Sequence, residues 1–196
     1  MNTRQMQALK TRQKIVEAGK EVFLKQGFQK TTISQIIKRA QTGYGTAYVY
    51  FQNKDELFME VMEQLMQQFY DVANLPYEPE TREDAYRLIA HQVELFLNLA
   101  MKNRSMMKVM KEAIGCSPLV EEKWKMIRTR FFTSIERDIQ YAQSKGLAKK
   151  ELNSSLAGRT WFYANEMFMW EIVEQNDIDI EAIVTTLTTM YLEGLY

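Results

Sequence analysis

The side chains best equipped for chemistry are crowded between Thr31 and Leu57, in TTISQIIKRAQTGYGTAYVYFQNKDEL. Thr32, Ser34 and Thr46 offer hydroxyls, Tyr44, Tyr48 and Tyr50 offer phenols, Lys54 offers a cation, and Gly45 offers bare backbone. None is a nucleophile with a base at a useful spacing, so the chemistry is recognition by hydrogen bond rather than bond breaking. The spacing predicts a helix, a short turn, a second short helix, and the capped start of a third. That is how a protein presents a compact polar helix to the major groove of DNA.

The rest of the chain carries little reactive chemistry. His91 has no Cys, Ser or paired carboxylate at a useful spacing, which makes it structural or pocket-lining rather than catalytic. One Cys and one His cannot supply a structural zinc site, so neither a metal nor a cofactor is expected. We expect no enzyme. Apolar mass takes the place of chemistry here: Met106, Met110, Trp124, Ile127 and Phe131 lie on two successive helices. Trp161 to Trp170, WFYANEMFMW, then sets Asn165 and Glu166 inside a run that is apolar on nearly every face. Such a helix must be buried on two sides. An apolar ligand cavity on one side and another subunit on the other would serve. We expect a cavity walled by Met106, Met110, Trp124, Ile127, Phe131, Trp161 and Asn165, with His91 as a neighbour; an ordinary packed core is the alternative. Glu166, if it faced the cavity, would favour a cationic or hydroxylated ligand; the dimer seam or solvent are its other places.

Net charge is zero, yet it is unevenly spread. Residues 1–58 carry a net +6 and residues 59–196 a net −6. A basic end on an acidic remainder suits a DNA-binding head on a body that does not bind DNA. Arg4, Lys10, Arg12 and Lys14 could form an arm near DNA or simply a solvated basic face. No apolar run approaches the ~20 residues that span a bilayer, and the N-terminal MNTRQMQALKTRQKI lacks a secretory core. With Cys116 unable to form an internal disulfide, a cytoplasmic protein without membrane contact is expected.

The elements that must position these residues are helical throughout. Ile15, Ala18, Val22 and Phe23 recur at helical spacing from about Thr11 to Gln26, with Gly27 to end the helix and Phe28 to fold back on it. Thr31 or Thr32 caps the next helix through Ala40, and Gln41 to Gly43 make the turn. Tyr44 to Phe51 form the short helix, with Ala47 and Phe51 inward. Asn53 and Glu56 approximate a capping box for a helix running to about Tyr70. Asn74 to Glu80, with Pro76 and Pro79, breaks the chain; Thr81, Ser117–Pro118, Asn153 and Asp179 start later helices, and Gly146 stops one. No alternating strand pattern or phosphate loop occurs. The expected fold is all-α, about nine helices, in two domains at 1–52 and 53–196.

Residues 12–58 resemble the DNA-binding domain of the tetracycline-repressor (TetR/AcrR) family of bacterial transcriptional regulators. Arg12, Ile15, Ala18, Phe23, Gly27, Thr31-Thr32, Ile36, Gly45-Thr46, Tyr48, Tyr50-Phe51, Lys54 and Leu57 carry the resemblance without a gap. It implies that Thr32, Tyr48, Tyr50 and Lys54 position the protein on phosphates, while Tyr44, Gly45 and Thr46, with Ser34 in support, approach base edges. Three positions depart from the family pattern: Gln41 replaces the usual turn Gly, Gly43 the usual polar cap, and Ile37 a small Ala, leaving Thr42 as an alternative cap. The resemblance further implies a homodimer paired through its last two helices. It would be a repressor released from a near-palindromic, double-stranded DNA operator by a small apolar or aromatic effector. The alternatives are a constitutive DNA-binding protein without a ligand, or a helical small-molecule carrier or enzyme.

Overall fold

The computed structural model describes residues 3–195; Met1, Asn2 and Tyr196, at the ends of the expected domains, lie outside them. The described residues form nine α-helices and no strand: α1 (Thr3–Gln26), α2 (Ile33–Arg39), α3 (Tyr44–Tyr50), α4 (Lys54–Ala73), α5 (Arg82–Lys102), α6 (Arg104–Cys116), α7 (Pro118–Ser144), α8 (Ser154–Glu174) and α9 (Ile180–Leu195). Helix starts coincide with local caps. The side chains of Thr32, Thr81, Ser117, Asn153 and Asp179 each accept a backbone N–H three residues on. At α2 the box is complete, because the Gln35 side chain accepts the Thr32 N–H at 2.8 Å. Helix α1 begins at Thr3 rather than near Thr11. Thr3 to Lys10 contains no Pro or Gly, so nothing local prevents the helix from extending.

Packing groups the chain into two compact units. One compact unit runs to Met66 and includes Ser105–Lys125; the other comprises Gln67–Arg104 and Met126–Tyr196. In the first unit α1 packs on α2 and α3, and α2 on α3. Its centre is an aromatic trio: Phe58 meets Phe23 edge-on at 4.9 Å and Phe28 at 5.1 Å, all three buried. Burying one such ring contributes about 2–3 kcal/mol. Arg12 is a tie inside this unit, with both guanidinium ends on Glu60 at 3.0 and 2.7 Å. The bidentate pair holds the Glu60 carboxyl below its usual range.

In the second unit α5 packs on α8 and α9, and α8 on α9. Gly158 lets α8 come close to α7: a Cβ there would stand 3.4 Å from the Glu136 backbone nitrogen. Phe131 of α7 is the hub of an aromatic cluster, 4.9 Å from Tyr70, 5.3 Å from Phe162 and 6.2 Å from Phe96. The helix expected to be buried on two sides is divided in fact. Phe162, Asn165 and Met169 face inward, while Leu156, Tyr163 and Met167 form an exposed apolar stripe. No helix among the described residues is long and apolar enough to cross a membrane.

Candidate functional site

The turn between α2 and α3 is a complete Schellman closure. Gln41 takes the left-handed conformation (φ 50°), its N–H bonds the Lys38 carbonyl at 3.1 Å, and the Thr42 N–H bonds that of Ile37 at 3.4 Å. This explains why a Gly would be natural at position 41; Gln41 adopts the same backbone at a cost. Gly43 is the N-cap of α3 and makes no side-chain cap bond. Thr42 is no substitute: its hydroxyl is buried and, among the described residues, has no hydrogen-bond partner. Ile37 is simply buried core, so its bulk is accommodated.

This turn leaves one face of α3 open. Ala47 and Phe51 point into the core, as expected, whereas Tyr44, Gly45, Thr46 and Tyr48 are exposed and Tyr50 is half-buried. Thr32 and Ser34 are exposed on α2. The surface thus combines two phenols, a hydroxyl and approachable backbone on one short helix, with hydroxyls from the helix before it. Val49, which the sequence did not single out, is 77% exposed on α3. An apolar side chain at such a position suits a thymine methyl.

Lys54, expected on phosphate, rests on the loop after α1. Its ammonium donates to the Phe28 and Gln29 carbonyls at 2.8 and 3.2 Å and lies 4.4 Å from the centre of the Phe28 ring. The N–H groups of the same two residues both donate to the Glu112 carboxylate at 3.0 Å. The loop after α1 is therefore held by a cation on its carbonyls and an anion on its amides. This also removes the expected backfolding bond of Phe28, whose N–H goes to Glu112 instead. Gly27, at φ 82°, is required twice over, since a Cβ there would lie 2.7 Å from Glu112 Oε2. Sequence could not foresee a partner 84 residues away.

The second unit contains a partly open cavity of about 70 Å³. Phe131, Trp161 and Asn165 line it, as expected from the sequence. The other expected members do not. His91 is exposed on α5, because only one face of that helix packs inward. Ile127 is buried but does not line the cavity, and Met106, Met110 and Trp124 are buried in the first unit. Glu166 is also absent from the lining: Arg128 pairs with it at 2.8 Å, which satisfies its buried charge. In place of these the wall holds Gln92, Phe96 and Asp138. One signal was available, since Asp138 interrupts the apolar stripe of Phe131, Ile135, Ile139 and Ala142 on α7. Burial pushes its carboxyl up to about 6, even with Arg137 nitrogens 3.1 Å from Oδ1.

A helix-turn-helix with an open polar recognition helix, on a helical body with an internal cavity, defines a DNA-binding regulator class. Comparison with known proteins agrees. Residues 15–61 match the family described as bacterial regulatory proteins, tetR family. The chain is 27% identical over 188 residues to YhgD, an uncharacterized HTH-type transcriptional regulator of Bacillus subtilis (strain 168), covering 92% of this chain and 94% of YhgD. YdeS, a second uncharacterized HTH-type regulator of that organism, is 28% identical over 148 residues, covering 74% and 69%. Among solved structures, the SmeT–triclosan complex superposes with a TM-score of 0.73 at 20% identity, covering 94% of this chain and 91% of SmeT. Residues 15–61 thus carry a DNA-binding domain of the tetR family, and the chain beyond it is similar in sequence to HTH-type transcriptional regulators.

Proposed function

We propose that the protein is a homodimeric repressor that leaves a near-palindromic operator when a small apolar or aromatic effector enters the cavity of its second unit. The observation that carries DNA recognition is the exposed face of α3. Tyr44, Gly45 and Thr46 would read base edges with Ser34, while Thr32, Tyr48 and Tyr50 would hold phosphates. In functional terms residues 1–52 are the reading head and 53–196 the sensing and dimerising body. Lys54 supports the head from its place on the loop after α1. A second copy suits the exposed apolar stripe of Leu156, Tyr163 and Met167 on α8 together with Met190, 69% exposed on α9. Two heads on a two-fold axis would contact half-sites about 34–36 Å apart or somewhat more. The largely apolar cavity supports a ligand, which can move the DNA equilibrium only through different affinities for the two states. SmeT, a structural neighbour, was solved with triclosan, which fits a small-molecule effector here.

The test is selection of genomic DNA fragments by the intact protein, with sedimentation of the protein alone and on the selected DNA. Enrichment of an inverted repeat bound by a dimer is expected. A monomer at micromolar concentration with and without DNA, or no enriched sequence, would overturn the reading. Finding an operator that no small molecule releases would favour a constitutive binder.

A further inference from the structure

We propose that the cavity of the second unit takes a lipophilic monocation, an aromatic or branched-alkyl ammonium, with Asp138 as its counter-charge. The inference rests on the reading of that cavity as the effector site and names the effector's chemical class. Among the described residues of its wall, Asp138 is the one ionisable side chain; the rest are apolar or aromatic apart from the amides of Gln92 and Asn165. A carboxylate in such a setting is costly unless something positive offsets it. Arg137 does so only in part. Its contacts reach a single carboxylate oxygen, its side chain is 60% exposed, and it does not line the cavity. A solvated pair of this kind is weak, so a desolvated cation entering from the cavity side competes well against it.

The remaining walls fit the same ligand. Phe96, Phe131 and Trp161 offer aromatic faces, whose quadrupoles attract a cation while their area holds its apolar body. The Asn165 amide donates to the Trp161 carbonyl at 2.9 Å, leaving its oxygen as the negative end of a dipole for the ligand's cationic head. An anionic ligand, such as an acyl carboxylate, would set like charges together in a low dielectric. A neutral hydrocarbon would leave Asp138 desolvated without recompense. Space is the remaining condition, since a cavity of about 70 Å³ is smaller than the roughly 150 Å³ that admits benzene. A second cavity of about 30 Å³ shares Gln92, Ile135, Asp138 and Trp161 with the first. Joining the two around Asp138 gives about 100 Å³ with the charge at the junction, and the surrounding side chains must part further to admit the ligand.

The test uses three benzyl probes: benzyltrimethylammonium, its uncharged isostere neopentylbenzene, and the anion phenylacetate. Each is titrated into the full-length protein by calorimetry. The cation is expected to bind at least about tenfold more tightly than the other two, the gain typical of a desolvated charge contact. Asp138→Asn should remove that advantage while changing neopentylbenzene affinity less than about twofold. The ranking of probes on the unaltered protein stands whatever the variant does. Preference for phenylacetate or neopentylbenzene, an unchanged ranking in Asp138→Asn, or no binding by any probe would overturn the proposal. Repeating the titrations on the selected operator separates this inference from the one beneath it. If a neutral or anionic probe fills the cavity and releases DNA, the sensor reading stands and the cation is wrong. If the cation binds through Asp138 and DNA affinity does not move, the ligand class stands and the sensor reading fails.

Discussion

Asp138→Asn should stabilise the protein above pH 7 and leave its stability unchanged near pH 4. Burial raises this carboxyl from 3.8 to about 6, against the opposing pull of Arg137. A shift of about two units corresponds to about 3 kcal/mol at roughly 1.36 kcal/mol per unit. The side chain retains 18% exposure and its partner 60%, so solvent screens part of that cost. About half, or roughly 1.5 kcal/mol, is the expected effect. The sign follows from proton binding: the folded state holds this proton more tightly than the unfolded chain does. The contribution to stability is therefore complete below about pH 4 and is lost as pH rises towards 6. Asparagine does not titrate, so the variant escapes the loss. Thermal unfolding at fixed protein concentration, at pH 4, 5.5 and 7.5, measures the difference. A gain of about 3–6 °C at pH 7.5 is expected for a chain of this size, shrinking to nothing at pH 4. A variant equally or less stable at pH 7.5, or a gain independent of pH, would refute the assignment of Asp138 to a desolvated wall.

Tyr44→Ala or Thr46→Ala should relax preference at one base position per half-site, costing roughly 1–3 kcal/mol there, as read by competition between operator variants. Lys54→Ala should lower stability by about 1–2 kcal/mol in urea unfolding, because two carbonyls lose a charged donor. Its salt dependence of DNA binding should stay unchanged; a slope smaller by about one would show that the ammonium leaves the loop for a phosphate. Glu112→Ala should cost about 2 kcal/mol by leaving the Phe28 and Gln29 amides unpaired, and amide exchange at those two positions should rise while that of α5 does not. Gln41→Gly should raise stability by about 1 kcal/mol by relieving the left-handed strain at φ 50°; a destabilised variant would contradict the described turn.

Much of the architecture is legible in the sequence because helix ends are decided locally. Thr32 with Gln35, Thr81, Ser117 before Pro118, Asn153 and Asp179 each cap a helix with their own side chains. Gly27 and Gly146 supply the left-handed residues that end two others. The inward set of the reading head, Ile15, Phe23, Ile36, Ala47 and Phe51, follows from the same 3.6-residue period. The start of α1 is not legible in the sequence, because its first residues carry no signal either way. Periodicity reports that a helix has a buried face and says nothing about what lies opposite. Met106, Met110 and Trp124 are as apolar as Phe131 and Trp161, yet only the latter two wall the cavity. Charges divide in the same way. Arg12 and Lys54 read as candidates for DNA contact until Glu60 and the Phe28 and Gln29 carbonyls are brought beside them. Asp138 interrupts an apolar stripe of α7 in the sequence, but its place on the cavity wall is decided by the residues of α5 and α8 beside it. Caps and faces are set by residues three or four apart, whereas a side chain's partner, solvation and charge cost depend on segments that meet only when the chain has folded.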